Sequence, residues 1–173
     1  MYYIYSLLTA PGVMVHELGH LFFCLLAGVK IHKIKLFQFG QTAGFVVHDE
    51  PHKFYQAIAI SFGPLIINSL VTLFLFAKLT PPYLDWHKAL FLWLGIAIGF
   101  HAIPSTGDAQ SLFQTSTDRW WTNPLKIIGL PFVAVLYMLN FLKRLHFDFI
   151  FVGILFWLGR FFLKAGTGNK IGW

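Results

Sequence analysis

A single carboxylate interrupts the apolar segment formed by residues 1–29. This segment contains no Lys, Arg or Asp, and Glu17 is its only acidic residue. Ionisable groups are costly at membrane depth and usually serve a function where they occur there. Glu17 stands in a His-Glu-x-x-His pattern with His16 and His20. Four residues make about one helical turn, so a helix would place both imidazoles on one face. Two imidazoles in this arrangement can bind one zinc ion, and the Glu between them suits a general base.

The composition favours a membrane protein over a soluble globular domain. The chain is 57% hydrophobic and only 12% charged, whereas soluble domains carry roughly 25% charged residues. The net charge of +6 does not indicate nucleic-acid binding, because no basic stripe is interleaved with exposed aromatic residues. The Lys and Arg residues stand instead in short clusters between apolar runs, as juxtamembrane charges do. Cys24 is the only cysteine, which excludes an internal disulfide.

About five apolar runs are candidates for membrane spans. They cover residues 5–28, 54–77, 88–103, 124–142 and 147–163. We expect a polar loop over 105–123, a bend at Pro131 in the fourth span, and a tight turn at Lys143 and Arg144. Two β-prone stretches, 29–39 and 43–48, predict a hairpin across Gly40-Gln41-Thr42, although an amphipathic surface loop is an equal alternative. The expected fold is therefore an all-α polytopic membrane protein with a small β-hairpin between its first two helices.

The distribution of Lys and Arg predicts an orientation. The loops on the two sides of the five spans differ in their number of Lys and Arg residues. The loop 30–53 is on the side with more of them, and this side faces the cytoplasm by the positive-inside rule. This places the N-terminus outside. His16, His20, Gly63-Pro64 and Asp108 then lie toward the inner leaflet, while the turn at Lys143 and Arg144 lies on the outer side.

A catalytic zinc ion takes three protein ligands and keeps one position open, so a third ligand is needed. We favour Asp108, because Pro104-Ser105-Thr106-Gly107 can end the third span and turn this carboxylate back toward the first. A turn or N-cap role for Asp108 and ligation by His101 are alternatives. The other acidic candidates are placed less well. Asp49 and Glu50 lie in the solvated inner loop, and Asp85 and Asp148 lie on the outer side. Asp118 lies far into a polar loop. His32, His48 and His52 suggest a second metal site, but we expect them to be solvated.

Three separated motifs resemble the site-2 protease family of intramembrane zinc metalloproteases, peptidase family M50. His16-Glu17-Leu18-Gly19-His20 matches the HExxH of that family, including its Leu-Gly filling. Ser61-Phe62-Gly63-Pro64-Leu65 resembles the Gly-Pro-Leu that opens the following helix. His101-Ala102-Ile103-Pro104, followed by Asp108, resembles the segment that supplies the third ligand, with His101 in place of Asn and Ala109 in place of Gly. The chain therefore resembles a compact or divergent branch.

The resemblance implies a single transmembrane protease domain over residues 1–173. Its catalytic core would be 1–123, followed by additional helices at 124–164 and a tail at 165–173. We expect an integral multi-pass protein of the cytoplasmic membrane of a prokaryotic cell, with the lipid bilayer and a transmembrane protein substrate as partners and no nucleic acid. The oligomeric state does not follow from the sequence.

The expected reaction is hydrolysis of a peptide bond in or near a transmembrane segment. Zn²⁺ held by His16, His20 and Asp108 would activate water, with Glu17 as general base and then acid. Asn68 or His101 would be an oxyanion or second-shell group. The resemblance implies a sheet near the site, where an exposed edge strand can hold an unwound substrate. The alternative is a non-catalytic metal-binding membrane scaffold, or a pseudoprotease that binds transmembrane partners.

Overall fold

The computed structural model describes residues 2–39, 43–79, 85–117 and 128–166. Within these ranges the chain forms six helices and one two-stranded sheet. In chain order they are α1 (Tyr2–Ala27), β1 (Ile31–Lys35), β2 (Phe45–His48), α2 (Phe54–Ala77), α3 (Trp86–Phe100), α4 (Thr106–Thr117), α5 (Leu130–Arg144) and α6 (Phe147–Gly166). The predicted helical class and small hairpin are therefore both present.

The helices do not confirm five separate spans. Residues Tyr3–Ala27 and Phe54–Ala77 are long and apolar enough to cross a membrane. Helix α3 is apolar but has only 15 residues, about 22 Å of helix against a hydrocarbon core of roughly 30 Å. Helices α5 and α6 form a pair bent by 102°, which would count as one broken span. By length and composition the described residues thus provide two spans, or three with the bent pair.

Helices α1, α2 and α3 form the centre of the fold. Helix α2 is antiparallel to α1. Helix α3 is parallel to α1, because the residues of α3 that contact α1 follow in the same order along both helices. Small residues allow close approach: a Cβ on Gly19 would lie 2.9 Å from Pro64 Cα, and one on Gly12 would lie 2.0 Å from the Ala97 oxygen. In lipid, such contacts of small residues replace the hydrophobic effect in holding helices together. Leu18 is exposed on α1, whereas Gly19 is buried at the crossing.

Substitution of Gly19 tests this crossing. We expect Gly19→Ala to lower the free energy of unfolding by about 1–3 kcal/mol, because the new methyl group meets the α2 backbone and the two helices must separate. Gly153→Ala on α6 is the matched control, since a Cβ there meets nothing within 4 Å. Unfolding of the purified protein in mixed detergent micelles would measure both. Equal stability of the two variants would contradict the close crossing.

Asn68 joins the three central helices. Its side chain is fully buried on α2, and its Nδ2 group donates to Gly12 O at 3.2 Å on α1 and to Ile98 O at 3.1 Å on α3. Polar side chains that bridge helices in this way add to packing between transmembrane segments. Asn68 therefore fixes how deeply α1 and α3 sit against α2.

The C-terminal half differs from the sequence expectation in three respects. Residues 106–117 of the predicted polar loop form α4, whereas Trp120 and Trp121 lie outside the described residues. Pro131 does not bend a span, because it stands in the first turn of α5, where its missing N–H has no helical partner to lose. The tight turn lies at Leu145 and His146, and His146 has a left-handed backbone with φ of 58°.

Helix α5 lies at the end of the bundle that carries the His-Glu-x-x-His motif of α1. Its buried residues pack with those of α2 and α4 in one apolar cluster, formed by Ala57, Ala109, Leu112, Val133 and Leu136. Helix α6 then begins beside the C-terminal end of α3, with the Phe100 and Phe149 rings 4.9 Å apart. The expectation that Lys143 and Asp148 lie on the outer side is therefore wrong. The 102° bend returns this connection to the end of α3 that carries His101.

The hairpin lies against α1. Strands β1 and β2 pair antiparallel, with an irregularity between Ile31 and Lys33. Both strands are shorter than the β-prone stretches predicted, and Gly40-Gln41-Thr42 lies outside the described residues. Gly44, just before β2, comes so close to α1 that a Cβ there would lie 2.8 Å from Glu17 Cγ. The hairpin thus forms a wall beside the carboxylate of α1.

Candidate metal centre

Three of the predicted ligands converge at one point. Ligand atoms of His16, His20 and Asp108 all lie within 4.8 Å of one another. His20 Nε2 is 3.0 Å from Asp108 Oδ1, and His16 Nε2 is 3.6 Å from Asp108 Oδ2. Helix α1 supplies both imidazoles from adjacent turns, and the break after α3 brings the carboxylate to them on α4. The side chains are 10–14% exposed, so the cluster is shielded from bulk water.

Each imidazole is oriented by a backbone carbonyl that has no helical donor. His20 Nδ1 donates to Ile60 O at 3.0 Å. Residue 64, which would normally bond that carbonyl within α2, is Pro64 and has no N–H. His16 Nδ1 donates to His101 O at 2.7 Å, and this carbonyl lies just beyond the end of α3, where helical carbonyls lose their partners. Two irregularities, one inside α2 and one at the end of α3, thus hold the two rings.

The structure gives the Gly63-Pro64 motif a different role from the one that the family resemblance predicts. The motif does not open a helix but lies in the middle of α2. Gly63 and Gly19 permit the close crossing with α1, since a Cβ on Gly63 would lie 3.0 Å from Gly19 O. Pro64 frees the carbonyl that orients His20. The pair therefore places α2 against the His-Glu-x-x-His turn.

Asp108 is held by a reciprocal cap at the start of α4. Ser105 N and Ser105 Oγ donate to Asp108 Oδ2 at 2.6 and 2.8 Å, and Asp108 N donates to Ser105 Oγ at 3.2 Å. This is the capping-box arrangement, with Asp in the usual place of Glu. Ser61 Oγ on α2 also donates to Asp108 O at 3.3 Å. Ser105 is thus the N-cap and Asp108 stands at N3, where the cap engages Oδ2 while Oδ1 lies 3.0 Å from His20 Nε2.

The donor set fits a divalent metal such as zinc. A carbonyl only accepts hydrogen bonds, so Nδ1 carries the proton and Nε2 of each neutral ring is a free acceptor. Nε2 and a carboxylate oxygen then face each other as two acceptors, and such an arrangement requires a cation or proton between them. Ligands about 2.0–2.1 Å from a tetrahedral zinc lie roughly 3.3 Å apart. The separations of 3.0 and 3.6 Å lie on either side of that value.

Glu17 and the three ligand residues line one cavity of about 370 Å³. Glu17 is buried, at 8% exposure. The hairpin contributes residues 43–46 and His48 to the wall beside Glu17, and Lys143 contributes from the last turn of α5. A cavity of this size can hold several peptide atoms and water beside the cluster. The hairpin and the polar residues of α1 therefore enclose one shared space.

His101 and Asn68 occupy different positions relative to this cavity. His101 is one of the residues that line the cavity, and its Nε2 atom is buried with no hydrogen-bond partner among the described residues. His101 is not in the group of three close ligands. The amide nitrogen of Asn68 is used by two helix carbonyls, and Asn68 is absent from the cavity lining. Of the two residues, only His101 lines the cavity.

The other acidic candidates lie apart from the cluster or in other roles. Asp49 is exposed and its Oδ1 accepts from His32 Nε2 at 2.6 Å, which holds the pKa of the Asp49 carboxyl below its usual range. Glu50 is exposed. Asp85 caps α3 by accepting from Lys88 N at 2.9 Å, Asp148 begins α6, and Asp118 lies outside the described residues.

The second histidine group does not form a metal cluster in the part of the chain that the structure describes. His32 is paired with Asp49, and His52 is exposed. His48 Nδ1 donates to Asp49 O at 2.7 Å while its side chain reaches the cavity. The expectation of solvated side chains thus describes His32 and His52, but His48 is half-buried.

Two residues of the site were missed from the sequence. Ser105 orients Asp108, and the Ser-x-x-Asp pattern at 105–108 was the capping signature that could have indicated it. Lys143 reaches the cavity from the last turn of α5, and no local pattern signals that contact. The first contact follows from a local pattern, whereas the second depends on tertiary structure.

Comparison with known families agrees with the N-terminal part of this description. A family model described as Peptidase M50B-like matches residues 1–105, which is more than half of the 173 residues. The matched region contains His16, Glu17, His20 and His101 and ends before Asp108. No match was found among curated proteins or solved structures.

Proposed function

Because the chain belongs to the Peptidase M50B-like family, we propose that it is an intramembrane zinc metalloprotease. It would hydrolyse a peptide bond in or near a transmembrane segment of a membrane-protein substrate. The observation that carries this proposal is the convergence of His16, His20 and Asp108 within 4.8 Å, with Glu17 in the same cavity. The apolar helices support a membrane protein. We propose a multi-pass protein of the cytoplasmic membrane of a prokaryotic cell.

His16, His20 and Asp108 would hold the zinc ion through Nε2, Nε2 and a carboxylate oxygen. When bound, zinc supplies Lewis-acid activation of water and of a peptide carbonyl. The carbonyls of Ile60 and His101 keep the imidazoles in the required tautomer, and such partners commonly raise metal affinity. Ser105 holds the carboxylate of Asp108 by two hydrogen bonds to Oδ2.

Glu17 would act as the general base and acid. Its side chain lies in the turn between the two imidazoles and lines the cavity. It would accept a proton from the attacking water and then deliver a proton to the nitrogen of the leaving amine. The hairpin wall beside Glu17 limits the space around the carboxylate, since Gly44 contacts it closely. His101 is the proposed oxyanion or second-shell group. Asn68 would act only by holding α1 and α3 against α2.

A substrate helix must unwind before cleavage, because its carbonyls are otherwise engaged in internal hydrogen bonds. The half-buried strand β2 stands in the cavity wall, where an extended segment could pair with the hairpin. Substrates with helix-breaking residues near the cleavage site should therefore be preferred.

Cleavage in defined liposomes tests the proposal. Purified protein and a reporter transmembrane substrate are reconstituted together, and mass spectrometry identifies the products. We expect cleavage that a zinc chelator abolishes and that added Zn²⁺ restores, with bound zinc measured in the same samples. Zinc binding without cleavage of a panel of substrates carrying helix-breaking residues would instead favour the non-catalytic scaffold or pseudoprotease.

A further inference from the structure

Lys143 brings a positive charge to the cavity that holds the candidate metal centre. It is in the last turn of α5 and lines the same cavity as Glu17, His20 and Asp108. Its side chain is half-buried. The family match ends at residue 105, so Lys143 belongs to a part of the chain that this match does not cover. Its position follows from the packing of α5 against α2 and α4.

The described residues do not neutralise this ammonium group by direct contact. None of the salt bridges formed in the described part of the chain involves Lys143. Asp148 and His101 are near enough for an electrostatic interaction, but neither forms an ion pair with Lys143. A partly buried charge is costly without a partner. The cavity side of Lys143 therefore offers an unfilled position for an anion.

The acidic groups of the cavity are committed elsewhere. Asp108 accepts from Ser105 and faces both imidazoles. Glu17 lies between the two histidines, where its charge and that of Asp108 would balance a divalent ion. Lys143 then has no ion-pair partner among the described residues of the cavity, and the nearby carboxylate of Asp148 lies outside the cavity lining. His101, another residue of the cavity lining, has a buried Nε2 atom without a described hydrogen-bond partner.

Stabilisation of the helix terminus does not account for this placement. A cation in the last turn of a helix interacts favourably with the helix dipole, and both Lys143 and Arg144 are in that turn of α5. Arg144 is exposed and does not line the cavity. The two neighbouring cations therefore share the terminal position but differ in access to the site.

We propose that Lys143 binds a carboxylate of the substrate and makes the protein selective for substrates with a carboxylate close to the scissile bond. This inference rests on the proposed proteolytic function. The carboxylate belongs either to an Asp or Glu side chain or to a free C-terminus near the cleavage site. Both sources present the same group to an ammonium ion, and they are separated by the choice of substrate.

A matched substrate series tests the selectivity. Once the cleavage site of a reporter is known, Asp, Asn or Lys is placed in turn at each of the three positions on either side, in peptides with an amidated C-terminus. A further peptide carries Asn and a free C-terminal carboxylate near the site. We expect the best-placed carboxylate to raise kcat/KM about tenfold over its Asn counterpart, the scale of one charge-assisted hydrogen bond. A larger gain in kcat/KM from the free C-terminal carboxylate than from the Asp side chain would identify the C-terminus as the source of the bound carboxylate.

Three variants assign the preference to Lys143. Lys143→Met should bring the Asp-to-Asn ratio of kcat/KM close to one, and Lys143→Glu should favour the Lys substrate. Arg144→Met is the matched control and should leave the ratio unchanged. A preserved ratio in Lys143→Met, or an equal loss in Arg144→Met, would overturn the proposal.

A binding measurement makes the test independent of catalysis. Zinc-loaded Glu17→Gln protein, with and without Lys143→Met, is titrated with the Asp and Asn peptides. We expect tighter binding of the Asp peptide only where Lys143 is present. Equal binding of both peptides to the protein with Lys143 would refute the inference. Absence of any cleavage by the wild type, with this binding difference retained, would refute the proposed function alone.

Discussion

Glu17→Gln is expected to reduce cleavage of the reporter substrate by about 10²–10⁴-fold while the protein keeps its zinc. The amide cannot accept a proton from water or return one to the leaving amine, and general acid–base catalysis contributes on this scale. Glu17 is not among the three close ligand residues, so the metal content should not change. Single-turnover rates in liposomes and metal analysis of the same preparation measure the two effects.

Gln is nearly isosteric with Glu, which limits changes in packing beside Gly44. Gln114→Glu on α4 provides a second exchange between the same two residue types, at an exposed position outside the cavity lining. It should retain most activity. Unchanged cleavage by Glu17→Gln would remove the proposed mechanism, whereas loss of both zinc and cleavage would give Glu17 a structural role instead.

Asp108→Ala is expected to weaken zinc binding by more than about 100-fold. Even loss of a group that merely orients a ligand costs 10–100-fold in metal affinity, and Asp108 supplies the only carboxylate of the cluster of three. Cleavage should fall with the zinc content. Competition with a chromophoric chelator, followed by metal analysis after dialysis, measures the affinity.

The alternative ligand and the loss of the cap require separate controls. Asp49→Ala should keep full zinc content, because Asp49 is exposed and bonded to His32. In Asp108→Asn the side-chain oxygen can still accept hydrogen bonds from Ser105, but it offers no anionic oxygen to the metal. This variant should therefore retain the start of α4 and lose zinc. Normal zinc affinity in both Asp108 variants would exclude this residue as the third ligand.

The local features of this chain could be predicted from the sequence. The apolar run 54–77 coincides with α2, since its length and composition alone define it. The spacing of His16 and His20 placed both rings on one face of α1, and the helix-breaking run after residue 103 brought Asp108 to them. These results depend on periodicity, on proline and glycine chemistry, and on the ligand needs of a metal.

The remaining features depend on contacts between distant segments. The assumption that each apolar run crosses the bilayer put Lys143 on the opposite side, but α5 packs across α2 and α4 and then turns by 102°. The polar segment 106–117 contains enough apolar residues on one face, such as Ala109 and Leu112, to form a packed helix. Asn68 was expected near the oxyanion, and its commitment to two helix carbonyls depends on the α1–α2–α3 packing.

The two carbonyls that steady the imidazoles belong to Ile60 and His101, on segments that follow α1 along the chain. A newly inserted first helix would carry both histidines and yet lack these acceptors as well as Asp108. The ability to hydrolyse peptides would therefore arise only after the later segments have assembled around it. On the proposed function, neighbouring membrane proteins would thus be spared during biogenesis, because an unfinished chain would lack a complete metal site.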